Sequence, residues 1–425
     1  MLITPKRPLF GCVAVPGDKS ISHRALLFSA LAEGDSHIQN FLSTGDCLST
    51  MACLRRLGID IDHHGTEVTV HGRGLHGLKA PTALLDCGNS GTTTRLLAGI
   101  LCGCEFESTL DGDASLRRRP MERIITPLSQ MGATVSGMGG CCPLTVRGGN
   151  LRPIHYQSPV ASAQLKSAVL LAGLFADGET SVTEPALSRN HTELMLREMG
   201  AEVRIDGCTA AVRGLPTLHA CDITVPGDIS SAAFLIVATL ILAESEIVLT
   251  NVGVNETRTG LLDVLREMGA DIEIFNRRGG CEPVADLLVR ASTLHGVKVG
   301  GDIIPRMIDE IPILAVAALF ASGTTVIRDA EELKVKETNR LSAIAEELKK
   351  CGAHIETTAD GLVIEGGHPL HAAAFSSHGD HRMAMSEAVL ALRLDEPSAI
   401  DDFACAEISY PDFLGTIARL TEESL

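Results

Sequence analysis

At 425 residues, 45% hydrophobic and 21% charged, the chain has the composition of an ordinary folded protein with enough apolar material for two or three domains. Its formal charge of -17 argues against nucleic-acid and acidic-membrane binding, so clustered Lys and Arg are read as local pockets for small anions. Thirteen cysteines are scattered with no CxxC pair, which points to reduced thiols and to neither a metal site nor a disulfide framework.

From the N-terminus, Met1 to Pro8 shows no signal-like apolar core, and the longest apolar run, Ala232 to Ala243, is too short to cross a bilayer. A cytoplasmic protein without membrane contact is expected. An apolar strand then breaks at Val15-Pro16-Gly17 and a polar helix opens with Asp18-Lys19-Ser20-Ile21-Ser22-His23-Arg24. Gly17 permits the tight turn, Asp18 or Ser20 can cap, and the first-turn amides beside Lys19 and Arg24 form a candidate cradle for phosphate or carboxylate.

Comparable openings recur at Asn89-Ser90-Gly91-Thr92, Ser162-Ala163-Gln164, Asp228-Ile229-Ser230-Ser231, Ile308-Asp309-Glu310 and Asp380-His381-Arg382, roughly 65 to 80 residues apart. Between them a second, amphipathic helix ends each time at a glycine (Gly58, Gly132, Gly200, Gly269, Gly352) and strand-like alternation follows. This gives six repeat units. Val15-Pro16-Gly17-Asp18 returns three units later as Val225-Pro226-Gly227-Asp228, so the units form two related halves. The sixth unit lacks trailing strands, which Leu2 to Val15 can supply. The expected domains are 18–223 and 224–425 plus 1–17, each α/β, with six helix N-termini directed into one interdomain cleft suited to an anion.

The openings differ in chemistry. Gly91 lets a ligand approach backbone amides, and Arg117-Arg118-Arg119-Pro120 reads either as a solvated charge run or as a clamp for carboxylate or phosphate. Ser162-Ala163-Gln164-Leu165-Lys166 offers a hydroxyl, an amide and an ammonium suited to a polyhydroxylated anion. The second half adds carboxylates: Asp309 and Glu310 ahead of an apolar helix, and Glu337 one turn from Arg340 in a helix opened by Lys334-Val335-Lys336. Glu337 and Arg340 are either a plain ion pair or part of an acid/base site. No GxSxG elbow, Walker loop or metal-ligand spacing is present, leaving acid/base chemistry with anion clamping.

The ordered motifs PGDKSISHR (16–24), GNSGTTTR (88–95), RRPMER (118–123), SAQLKS (162–167), RNHTE (189–193), PGDISSAAF (226–234), IDEIP (308–312), KVKETNRL (334–341) and GDHRMAM (379–385) resemble the 3-phosphoshikimate 1-carboxyvinyltransferase family over essentially the whole length. The resemblance implies an enolpyruvyl transferase-like inverse α/β barrel: two domains of three βαβαββ units with the active site between them. It implies transfer of the enolpyruvyl group of phosphoenolpyruvate to the 5-hydroxyl of shikimate 3-phosphate, in the route to chorismate and aromatic amino acids, without a cofactor.

Carried over by motif, Ser20, Arg24, Ser162, Gln164, Asp309 and Lys336 would hold shikimate 3-phosphate, and Gly91, Arg119, Gln164, Arg340 and Arg382 would hold phosphoenolpyruvate. Lys19 would serve both. Asp309 would be the base, Glu337 the acid, with Lys336 assisting. A monomer is expected. The motifs around Ser162, Arg189 and Asn255 resemble the glyphosate-tolerant class II subset. One departure is that Glu407-Ile408-Ser409-Tyr410-Pro411 lacks a lysine that some members use toward phosphoenolpyruvate. The rival reading is the sister enzyme that enolpyruvylates UDP-N-acetylglucosamine, which lacks the PGDKSISHR signature.

Overall fold

The computed structural model describes residues 1–5 and 8–422, and the chain divides into two compact units, Gly17–Val225 and Met1–Pro16 together with Pro226–Leu425. Each unit has three sheets and three almost entirely buried helices. In Gly17–Val225 these are Lys19–Leu31, Gly91–Leu101 and Ala163–Gly173; in the other unit they are Ile229–Ile241, Ile311–Leu319 and His381–Arg393. Being apolar nearly all round, such helices can only lie inside a domain.

Their starts are chemically defined. Asp18 Oδ1 accepts from the Ile21 amide at 2.9 Å, Ser90 Oγ from Thr93 at 3.1 Å, Asp228 Oδ1 from Ser230 at 2.8 Å and Asp380 Oδ1 from Arg382 at 2.9 Å. Each satisfies an amide that the helix itself leaves open. Asp18, not Ser20, is therefore the first cap. Helix Ile311–Leu319 has no side-chain cap and carries Pro312 in its first turn, where a missing N–H leaves one fewer donor to be capped.

The outer helices Gly45–Arg56, Glu122–Gln130, His191–Glu198, Gly260–Glu267 and Arg340–Lys349 are followed by Gly58, Gly132, Gly200, Gly269 and Gly352, at φ of 87, 108, 98, 98 and 91°. Those are left-handed values that only glycine adopts cheaply, so the chain leaves each helix and turns into a hairpin.

Among the described residues, five sheets have four strands and one has three. In the pattern they share, a first strand runs parallel to a second, which pairs antiparallel with a third. Leu85–Asp86, for example, is parallel to Glu107–Asp111, which is antiparallel to Cys141–Arg147. The N-terminal strands divide their allegiance, contrary to the expectation that both complete the sixth unit. Leu2–Ile3 pairs antiparallel with Ser398–Asp401 of the last unit, whereas Phe10–Ala14 runs parallel to Glu246–Gly253 of the fourth. The fourth unit needs that strand because the segment before its own helix, Ile223–Thr224, pairs with Glu33–Gln39 instead. Among the described residues no disulfide joins any of the cysteines, and no helix is long and apolar enough to cross a membrane.

Candidate active site

In Gly17–Val225 the polar residues at the helix starts are held in fixed geometry. Lys19 Nζ lies 3.1 Å from Asp46 Oδ2, and the Asp46 carbonyl accepts from Thr93 Oγ1 at 3.4 Å, tying the first helix opening to the second. Behind Lys19, His23 is buried. Desolvation, reinforced by the Lys19 and Arg24 charges and opposed by Asp46, lowers its imidazole pKa to about 3, so it stays neutral and hydrogen-bonds Thr50 at 2.7 Å. Arg24, also buried, donates from Nε to Thr192 Oγ1 at 2.8 Å, from Nη2 to Ser167 Oγ at 2.9 Å and from Nη1 to the Ser20 carbonyl at 2.9 Å. The Ser20 hydroxyl accepts from Arg189 at 3.2 Å.

A second group surrounds Gly91. A Cβ built on Gly91 falls 2.9 Å from Arg95 Nη1 and 3.3 Å from Arg119 Nη1, so hydrogen at this position keeps two guanidiniums beside a helix N-terminus. Arg119 donates to Asn89 Oδ1 at 2.5 Å; Arg95 donates to Gln164 Oε1 at 2.5 Å, and Gln164 donates in turn to Thr92 Oγ1 at 2.9 Å. Of the arginine run, Arg119 is the buried member, while Arg117 and Arg118 are exposed and Arg117 pairs with Asp111 at 2.5 Å. Ser162 is half-buried and its Oγ caps its own helix by accepting from Leu165 at 3.4 Å.

Lys166 corrects the sequence reading. Its ammonium is 1% exposed and sits 2.9 Å from Glu184 and 2.8 Å from Glu193. Burial alone lowers its pKa, but the two carboxylates more than offset this and the net shift is upward. It is a buried ion triad, not a ligand group.

In the other unit, Asp309 stands in the turn Ile308–Glu310 before helix Ile311–Leu319 and is met by three cations. Lys336 Nζ is 3.4 Å, Arg340 Nη1 3.2 Å and Arg382 Nη2 3.8 Å from its carboxylate. The chain around Glu337 differs from expectation: Glu331–Val335 is a 3-10 turn and the helix begins only at Arg340, capped by Asn339. Glu337 nevertheless reaches Arg340 Nη2 at 2.7 Å. Arg340 also donates to both oxygens of Asp380, from Nε at 2.8 Å and Nη2 at 3.2 Å. Burial works to lower the Arg340 pKa, but Asp380, Glu337 and Asp309 together raise it above the ordinary arginine value.

Asp380, Arg95, Asp46 and Arg189 had no assigned role in the sequence reading. For Asp380 and Arg95, buried charge was the available signal: an aspartate or arginine at the opening of an apolar helix needs an opposite partner.

The family model for EPSP synthase (3-phosphoshikimate 1-carboxyvinyltransferase) matches residues 3–417. The chain belongs to the EPSP synthase family. Among curated family members, the 3-phosphoshikimate 1-carboxyvinyltransferase of Gloeobacter violaceus is 57% identical over 426 residues, covering 99% of both chains. That of Desulforamulus reducens is 53% identical over 427 residues and covers 100% of both. The EPSP synthase structure from Acinetobacter baumannii superposes with a TM-score of 0.89 at 44% identity, covering 99% of this chain and 98% of its own. The enolpyruvyl transferase NikO from Streptomyces tendae, at 19% identity and a TM-score of 0.79 over 99% of this chain and 96% of its own, shares the fold. The enolpyruvyl transferase fold of this EPSP synthase family member is the α/β arrangement of six repeat units described above.

Proposed function

We propose that the protein transfers the enolpyruvyl group of phosphoenolpyruvate to the 5-hydroxyl of shikimate 3-phosphate and releases phosphate. The observation that carries this reading is the cluster of Asp309 and Glu337, two carboxylates sharing Arg340, with Lys336 and Arg382 alongside. Asp309 takes the 5-hydroxyl proton as the oxygen adds to C2 of phosphoenolpyruvate, and Glu337 gives a proton to the methylene carbon C3. The tetrahedral ketal then breaks its C2–O bond to phosphate, which leaves with the proton that Asp309 took up, while Glu337 takes a proton from the new methyl group, so the vinyl group re-forms and both residues return to their starting states.

Ser20, Arg24, Ser162, Gln164, Asp309 and Lys336 hold shikimate 3-phosphate in this reading; Gly91, Arg119, Gln164, Arg340 and Arg382 hold phosphoenolpyruvate, and Lys19 serves both. These are charge-assisted hydrogen bonds that need no reorganisation when charge develops. The protein acts as a cytoplasmic monomer, with no nucleic-acid or membrane partner, and is tolerant of glyphosate.

Phosphate release from phosphoenolpyruvate by purified protein is expected with shikimate 3-phosphate and not with UDP-N-acetylglucosamine; turnover with the second acceptor alone would reverse the assignment. Relatives named for the first reaction at 57% and 53% identity support that choice. Glyphosate that competes with phosphoenolpyruvate at low concentration would remove the tolerance reading.

Gly91→Ala tests the anion site. The added methyl meets the ends of two flexible side chains, Arg95 and Arg119, so the fold accommodates it while both guanidiniums shift. The KM for phosphoenolpyruvate is expected to rise about tenfold with kcat changed far less, the pattern of lost ground-state binding. An unaltered KM would exclude these arginines from that substrate.

A further inference from the structure

Away from the residues discussed so far, one cluster has the donor set of a transition-metal site. His354 and Glu365 face each other as a cross-strand pair between the antiparallel strands His354–Thr357 and Leu362–Glu365. His368 follows three residues later, brought round by Gly366 and Gly367, the latter at φ +80°. His354 Nδ1 lies 3.6 Å and His368 Nε2 3.7 Å from the same oxygen, Glu365 Oε2, and the three ligand atoms lie within 4.8 Å of one another. The two imidazoles are stacked with centroids 3.7 Å apart and planes 14° from parallel.

The spacing discriminates between explanations. Hydrogen bonds from imidazole to carboxylate close to about 2.7–3.2 Å, and both separations exceed that. A tetrahedral zinc ion with legs of about 2.0–2.1 Å sets neighbouring ligand atoms about 3.4 Å apart, so rotation of the two exposed imidazoles out of their stack brings all three donors onto one ion. Two imidazoles with one carboxylate suit zinc or copper better than magnesium or calcium, which prefer all-oxygen shells. The three side chains are 55%, 59% and 39% exposed, so an ion enters directly from solvent.

We infer that His354, Glu365 and His368 bind a late first-row divalent cation, of which zinc is the representative, with solvent completing the tetrahedron. Two of the ligands sit on paired strands and the third on the glycine turn. The strand His354–Thr357 lies at the edge of its sheet, so the ion pins an edge strand to its neighbour and to the turn beyond it.

The test uses the whole protein, stripped with a chelator and dialysed against micromolar free Zn²⁺ in the presence of excess Mg²⁺. The unmodified protein, the double variant His354→Ala/His368→Ala and the single variant Glu365→Gln are compared. The unmodified protein is expected to hold one more equivalent of zinc than the double variant, and Glu365→Gln to hold that equivalent more weakly. Cysteine thiols are the same in all three proteins, so zinc bound by them cancels in the difference. Zinc is also expected to raise the thermal midpoint of the unmodified protein more than that of the double variant. Equal zinc content and equal thermal response in the unmodified and double-variant proteins would overturn the site.

Discussion

Asp309→Ala is expected to lower kcat by about a hundred- to ten-thousand-fold, the range that a positioned proton acceptor contributes. The fold is expected to survive, because the two arginines beside Asp309 keep other partners. Arg340 retains Asp380 on two hydrogen bonds and Glu337 on a third, and Arg382 lies 3.6 Å from Glu310. The loss would therefore appear in turnover, with the thermal midpoint nearly unchanged. Asp309→Asn sharpens the test, since it keeps the shape and a hydrogen-bonding group but cannot take a proton.

Glu337→Gln is expected to lose most turnover by a different route, because it keeps a hydrogen-bond acceptor toward Arg340 and removes only the proton donor. Phosphate release and melting curves on the same preparations separate the two effects. A variant at either position that retains near-normal turnover would remove that residue from proton transfer.

The repeat was readable because most of the units repeat the same local physics. A small capping side chain starts an apolar helix, and a glycine at φ near 90° ends the amphipathic one. The partners of the charged residues were not readable, because they come from far along the chain. Arg24 reaches Thr192 across 168 residues and Arg95 reaches Gln164 across 69. Lys166 shows the consequence. Its place after Ser162 and Gln164 made it look like a ligand group, and only the return of the chain through Glu184 and Glu193 turns it into a core ion triad. The strand Phe10–Ala14 was misplaced for the same reason, since parallel pairing with Glu246–Gly253 leaves no local mark in the sequence.

A carboxyl that no motif identified produces the largest expected pH effect on stability. Glu387, on helix His381–Arg393, is fully buried, and neither carboxylate oxygen has a hydrogen-bond partner among the described residues. Desolvation first, then the charges of Glu347 and Asp401, raise its pKa from the usual 4.5 to about 9. Glu347 cannot share a proton cheaply, being engaged already by Lys350 at 2.6 Å, the Ser376 amide at 2.8 Å and His378 at 3.0 Å. At neutral pH the folded protein therefore carries a proton on Glu387 that the unfolded chain has released. With the folded value above the unfolded one, this group's contribution is fully present below pH 4.5 and is lost as pH rises toward 9. At pH 7 the loss is on the order of 3 kcal/mol. Glu387→Gln keeps the shape and cannot ionise, so its thermal midpoint is expected to gain on that of the unmodified protein steadily from pH 5 to pH 9, by about 2–4 °C for each kcal/mol. Melting curves of the two proteins at pH 5, 7 and 9 measure that gain directly. Two midpoints that move in parallel over this range would mean that Glu387 titrates alike in the folded and unfolded chain, and that its buried surroundings are compensated by a partner.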